Sequence, residues 1–395
     1  MRNDWRLAFG GLFAMAAGLG VGRFVYTPIL PVMVEGLGLT TSQAGLIASA
    51  NFLGYLAGAL LAASPRLTGS RRAYLIGALA VNALAMAMMA ATASFVLHLV
   101  LRFIGGLASA FILVFASSLV LERLASGGRG RLSAVHFAGV GIGIAASAAM
   151  VSALLGMGAG WRALWLGSAI MSLGGLALSA LLITADAAAQ SAPATEPPAG
   201  GSSFALRALI TAYGLFGFGY VITATFIVAM VRASPSISAM EPYVWVLFGL
   251  SAVPSVALWM GVASRFGVIP VFAVACLVEA VGVASSIVWV SPAGIVVAVV
   301  FLGGTFVGIT ALGLVAVRRF STGDPRPNLA LATAAFGTGQ VIGPALAGFL
   351  FDRLDSFALP SLIAAAALVV AAALACAVAI GTMRRARGAA RQRPA

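Results

Sequence analysis

Arg23 and Arg102 stand inside long apolar stretches of the chain. A guanidinium there is costly and persists only against a cavity, a partner or a headgroup layer. Its planar fork of donors matches a carboxylate or phosphate bidentately, so two such groups together read as an anion clamp. Each has a structural alternative: Arg23 snorkelling to the headgroups, and Arg102 holding helix-end carbonyls. Acids are scarce in the same stretches. Glu279 alone lies deep within one, where it is either a proton carrier or a protonated carboxyl at a helix contact. His136, whose imidazole ordinarily titrates near neutral pH, is the other proton-coupling candidate, against a packed histidine.

These residues need elements that hold them in lipid. Apolar residues make up 62% of 395 and charged residues 8%, too few to cover a soluble surface. Each membrane crossing needs about 20 apolar residues. Cuts at charges, Pro and Gly give six candidate spans at 8–33, 42–63, 73–92, 94–121, 132–156 and 162–184. Six more follow at 205–231, 242–263, 268–290, 293–317, 328–351 and 357–383. The opening run is too long for a signal peptide and is followed by many like it, so it counts as the first span. Between the two sets lies a Pro-, Gly-, Ala- and Ser-rich stretch that reads as a flexible tether. The expected division is 1–185, a linker at 186–203, and 204–395.

All 23 basic residues are arginine, which with the Ala and Gly excess reads as the codon bias of a GC-rich bacterium. With the N-terminus inside, 18 arginines fall on the cytoplasmic side and three (Arg162, Arg232 and Arg353) outside. That imbalance puts both termini and the tether in the cytoplasm of a bacterial inner membrane protein. The arginines cluster between apolar runs rather than forming a face, so the net charge of +13 implies no nucleic-acid partner. Cys276 and Cys376 both lie in apolar runs and imply neither a disulfide framework nor a metal site. Gly18, Gly20 and Gly22 lack the βαβ setting of a dinucleotide fingerprint and read as close helix packing. No catalytic constellation recurs, so neither an enzyme nor a cofactor is expected.

The two halves echo each other. Arg66 and Arg265 follow the second and eighth spans at an offset of 199, and Phe103 and Phe301 open matching F-x-G-G segments at an offset of 198. Parallel duplicated six-span units place a solute site midway between the halves. At this point the chain resembles a major facilitator superfamily (MFS) transporter over essentially its whole length. Gly58, Arg66, Gly69, Arg71 and Arg72 match the signature after the second span, although Ser64-Pro65 replaces its acid. Arg102 and Gly106 match the fourth-span motif, and Gly339, Gly343, Pro344 and Gly348 match a pattern that the superfamily carries in the fifth span. The wording Gly20-Val21-Gly22-Arg23-Phe24-Val25-Tyr26-Thr27-Pro28, then Ala50 to Tyr55, is similar to the YbfB/YjiJ-type branch.

The resemblance implies an all-α membrane fold of twelve spans in two pseudo-symmetric six-helix bundles, working by alternating access. It implies cavity-lining first and fourth spans, so the expected substrate site joins Arg23 and Arg102 to Tyr26, Asn51, Tyr55, Tyr213, Tyr220, Thr223, Trp245 and Gln340. Expected gating positions are Arg66, Gly69, Arg71, Arg72, Arg265, Gly343 and Pro344, and the ninth span, with Glu279, is peripheral. The favoured function is secondary transport of a small organic anion by a monomer in the bilayer. The alternatives are efflux of amphipathic or drug-like compounds by proton antiport, and a transporter-like sensor without turnover.

Overall fold

A computed structural model describes residues 2–64, 66–184, 203–321 and 324–391; the expected linker at 186–203 lies almost wholly outside them. The described residues form helices joined by short turns, with no strand among them. They run α1 Arg2–Met15, a π-helical stretch Ala16–Val21, α2 Tyr26–Leu37, α3 Thr41–Ala62, α4 Arg71–Ala91, α5 Phe95–Ser126, α6 Ser133–Gly156 and α7 Trp161–Leu182. The second half runs α8 Ser203–Ala233, α9 Glu241–Ala252, α10 Ser255–Phe266, α11 Val268–Val288, α12 Pro292–Phe320, α13 Arg326–Leu354 and α14 Ala358–Arg391. Among the described residues, eleven helical stretches are long and apolar enough to cross a membrane, and α9 with α10, bent by 41° beside Pro254, makes a twelfth if the pair is one span.

Short polar residues set the starts. Thr40 and Gln43 form a capping box before α3, while Ser70, Ser94 and Ser291 accept from the third backbone N–H of α4, α5 and α12. Apolar side chains then face either lipid or the neighbouring helix.

The two halves repeat in space as well as in sequence. The Gly106 backbone lies against the Asn51 carbonyl, and the Gly303 backbone lies against the Phe248 carbonyl. Both partners are displaced by 197 residues (248 − 51 and 303 − 106). The halves meet where α3 packs on α13 and α6 on α9, a second pair of equivalent contacts. At α6–α9 the Gly249 backbone rests on Ala145 and Gly141, leaving no room for a side chain.

Polar bonds between the halves run from the midplane to the side opposite Arg71 and Arg72, called here the far side. Asp352 at the end of α13 accepts from the backbone N–H of Thr41 (3.0 Å) and Ser42 (2.9 Å), the first turn of α3. A carboxylate suits that helix start because the free N–H groups and dipole are both positive there. Arg232 reaches Glu35 across the halves at 3.3 Å and Glu241 at 3.2 Å. At the same level the Ser152 hydroxyl donates to the Pro242 carbonyl (3.1 Å), and deeper in the Ser49 hydroxyl donates to the Val341 carbonyl (2.7 Å). This is a conformation closed on the far side.

If Asp352 latches that side, Asp352→Ala removes two charge-assisted bonds worth roughly 1 kcal/mol or more together, allowing for their exposure. Alkylation of Ala48→Cys by an impermeant maleimide, in a background without Cys376, should then quicken about fivefold. An unchanged rate would show that the apolar α3–α13 contact alone keeps this side shut.

Candidate functional site

The first span does not cross as one regular helix. Pro28 and Pro31 carry no N–H, so the carbonyls four residues earlier, Phe24 and Thr27, lose their regular helical donor, and Phe24 keeps only a long bond from the Thr27 N–H (3.3 Å). The π-helical stretch, closed by Gly22 N–H to the Ala17 carbonyl (2.9 Å), precedes the break. Carbonyls at the break are served from outside. The two Nη groups of Arg102 donate to the Gly22 and Arg23 carbonyls, each at 3.1 Å, and Trp245 Nε1 donates to Phe24 (3.1 Å) from the other half. Thr27 joins the halves again, its hydroxyl donating to the Ala224 carbonyl at 2.9 Å.

Arg102 thus has both Nη groups on backbone carbonyls. Asn51 in turn donates to the Arg102 carbonyl at 2.9 Å, and the guanidinium lies over the Tyr26 ring at 5.0 Å. Only its Nε lacks a partner. Of the expected two-arginine clamp, Arg102 has that one nitrogen without a partner.

Arg23 is different. It is 5% exposed, so it does not snorkel to headgroups, and its Nε and Nη2 have no hydrogen-bond partner. Among the described residues no carboxylate lies within ion-pair distance of it. The guanidinium is bracketed by rings instead, 4.1 Å from the Tyr55 centroid, 4.7 Å from Phe52 and 5.4 Å from Phe24. Aromatic faces stabilise a cation without consuming its donors. Arg23, Phe24, Tyr26, Thr27, Ala48, Phe52 and Arg102 line a small cavity with Val221, Ala224 and Thr225 of α8. The site thus draws on both halves.

The remaining expected residues divide by what they touch. Tyr26 donates to the Ala44 carbonyl (2.9 Å), and the Tyr213 hydroxyl reaches the Thr310 carbonyl (3.4 Å), which ties helices together. Gln340 donates to the Tyr220 hydroxyl, leaving its own Oε1 without a partner. The Thr223 hydroxyl is buried and without a partner. Stacked rings of Tyr213, Phe216, Tyr220, Phe306 and Phe336 wall the second half, with centroids 4.9 to 6.1 Å apart.

Glu279 is fully buried, although the ninth span reads as peripheral. Its neighbours include Thr305 and Tyr220, which turns it towards the second half's interior. His136 is also fully buried, within 3.2 Å of the Ser117 hydroxyl and edge-on to Phe137, packed against α1 at Gly11. It stands apart from the Arg23 cavity.

Several expected gating residues act inside the first half. Arg71 binds Ser118 at 2.6 Å and Glu122 at 2.8 Å, and Arg72 donates to the Ile183 and Ala180 carbonyls at the end of α7. Gly69 takes a φ of 125° that other residues rarely adopt, and Arg66 and Arg265 are exposed. Gly343 and Pro344 sit between the halves, with Gly343 against Val221 and the Pro344 carbonyl against Gly45. Asp352, Glu35 and Arg232 did not stand out in the sequence, since charges at span ends look like ordinary anchors.

The family model described as "Uncharacterised MFS-type transporter YbfB" matches residues 15–376. The chain belongs to that family. Its fold is similar to the crystal structure of the nucleoside transporter NupG, with a TM-score of 0.69, 16% identity, and 96% of this chain and 99% of that one covered. A point mutant of NupG gives 0.74 at 15% identity, covering 95% and 99%. A curated relative, "Chloramphenicol resistance protein" from Streptomyces lividans, is 32% identical over 155 residues, 39% of each chain. The chain is therefore a multi-pass membrane transporter of the secondary, MFS type, the class whose partners are a small solute and lipid.

Arg102→Ala should strip the donors from two buried carbonyls, at about 1–3 kcal/mol each. A clearly lowered melting temperature in detergent is expected, with Arg102→Lys failing to restore it because one ammonium cannot serve both acceptors in the same fork. Wild-type melting in Arg102→Ala would contradict the capping role.

Proposed function

We propose that the chain moves a small organic anion across the bacterial inner membrane by alternating access, with the anion seated on Arg23. The observation that carries this reading is the buried guanidinium with two nitrogens unclaimed. A buried donor left without an acceptor is costly, and a charged one more so. A carboxylate or phosphate oxygen entering the cavity would supply the acceptor and the counter-charge together. Phe24, Phe52 and Tyr55 hold the fork in place beforehand, so little order is lost on binding.

Alternating access fits the arrangement of contacts. Arg23 hangs from the broken first span, whose carbonyls Arg102 ties to one half and Trp245 to the other. Opening the far side means parting α3 from α13 and α6 from α9, with release of Asp352 and Arg232. The arginine distribution supports placing that side outside and both termini, with the linker, in the cytoplasm. We take the working unit to be a monomer without a nucleic-acid partner.

A second reading has its own support. The partial likeness to a chloramphenicol resistance protein and the aromatic wall of the second half both suit efflux of drug-like compounds by proton antiport. Under that reading Arg23 is a structural cation held by its rings. Nucleosides are included as probes because of the fold likeness to NupG.

The deciding experiment is a thermal-shift comparison of wild type and Arg23→Gln with benzoate, gluconate, methylphosphonate, uridine, chloramphenicol and tetraphenylphosphonium. Stabilisation reports occupancy of the folded state, so no direction of transport need be known. At least one anion should stabilise the wild type, with affinity at least about tenfold weaker in Arg23→Gln. Stabilisation by chloramphenicol or tetraphenylphosphonium alone, equal in both proteins, would overturn the anion reading.

A further inference from the structure

The cavity beside Arg23 has a one-sided balance of hydrogen-bonding groups. Its three lining hydroxyls have spent their protons on backbone carbonyls: Tyr26 on Ala44 (2.9 Å), Thr27 on Ala224 (2.9 Å) and Thr225 on Val221 (2.7 Å). None of the described residues that line it is acidic. What stays unclaimed is Nε and Nη2 of Arg23 and Nε of Arg102, three donors on two cations. A metal cation would meet only like charge there. A neutral solute would meet donors but leave the charge as it stands. The free groups select an anion.

Charge points the same way. Arg23 and Arg102 are both buried, and neither has an ion-pair partner among the described residues. Ring faces hold the one and backbone carbonyls the other, but neither brings a negative charge. Arg102 donates to the backbone carbonyl of Arg23 itself, so the two cations share one small volume. Two like charges enclosed without a counter-charge are costly in a low-dielectric interior. A single monoanion in the cavity would halve that net charge and give the free donors an acceptor.

Size narrows the class. The cavity measures about 10 Å³, room for about one water-sized particle. The body of benzoate or gluconate does not fit while the far side is closed in this way. We propose that a single compact inorganic monoanion, of chloride's size and charge, occupies the Arg23 cavity in this far-side-closed conformation. It holds the place that the charged group of an organic anion takes when the protein opens. This rests on the reading of Arg23 as an anion acceptor. The substrate-free protein is then a halide-bound one, and an organic anion must displace the halide to bind. Val221, Ala224 and Thr225 of α8 line the cavity opposite Arg23, so the ion lies between the two halves.

The test compares melting of wild type and Arg23→Gln in sodium sulfate with melting in sodium chloride or bromide, at matched ionic strength so that screening is constant. Sulfate is too large and too highly charged for the cavity. The halide should raise the wild-type melting temperature saturably. Half-saturation should move up at least about tenfold in Arg23→Gln. Wild-type crystals of the far-side-closed conformation, grown in bromide, should show an anomalous-scattering peak beside Arg23 Nε and Nη2. That readout decides the matter even where Arg23→Gln does not fold. Equal melting in sulfate and halide, an equal halide response in both proteins, or bromide crystals with no peak at Arg23 would overturn the proposal. An organic anion that binds on Arg23 with no halide effect removes the halide site and leaves the anion reading. Halide binding on Arg23, with benzoate, gluconate and methylphosphonate all inert, leaves the halide site and removes the organic substrate.

Discussion

Two prolines in the last third of the first span set the conditions for the rest of the site. Pro28 and Pro31 remove backbone donors where no water is available to replace them, and in hydrocarbon every carbonyl needs a partner. The fold meets that demand with a guanidinium from α5 and an indole from α9. Because those donors come from different halves, the break in the first span is also a joint between the halves. Arg23 is carried on that joint, one residue from the carbonyl that Trp245 holds.

This division of labour explains why two arginines at one level of the bundle are not equivalent. Arg102 has its fork filled by backbone, so its charge serves architecture and its removal should be felt as instability. Arg23 is held by ring faces, which leave its Nε and Nη2 unclaimed. The aromatic bracket is thus what separates a structural cation from one able to take a ligand. The same contrast applies to the acids. Asp352 is fully engaged at a helix start on the far side, whereas Glu279 is enclosed with no donor.

Much of the fold was legible in the sequence, since apolar runs separated by arginines follow directly from the cost of charge and free backbone in lipid. The break at Pro28 and Pro31 follows from the same demand, because proline brings no N–H to the helix. The bend at Pro254 was not legible, because 242–263 is apolar throughout and reads as one span. Within the site, composition marked Arg23, Arg102 and Glu279 as costly residues but could not say who satisfies them. That depends on backbone carbonyls, which have no signature in side-chain type: Phe24 loses its regular helical donor to Pro28, and Gly22 and Arg23 accept from Arg102 where the helix breaks. Gly69, Arg71 and Arg72 were legible as a motif, yet their bonds here run within one half rather than across the gate. The polar contacts that do cross, the Arg232–Glu35 ion pair and the Asp352 carboxylate on the first turn of α3, looked like ordinary span ends.

The central claim is that one buried guanidinium is free for a ligand and the other is not. Side-chain nitrogen NMR of arginine-labelled protein during a benzoate titration tests it most directly, with the two buried resonances assigned by Arg23→Gln and Arg102→Lys. The account predicts that the Arg23 resonances move with saturation while those of Arg102 stay with their carbonyls. Movement of the Arg102 resonances with those of Arg23 unchanged would contradict it.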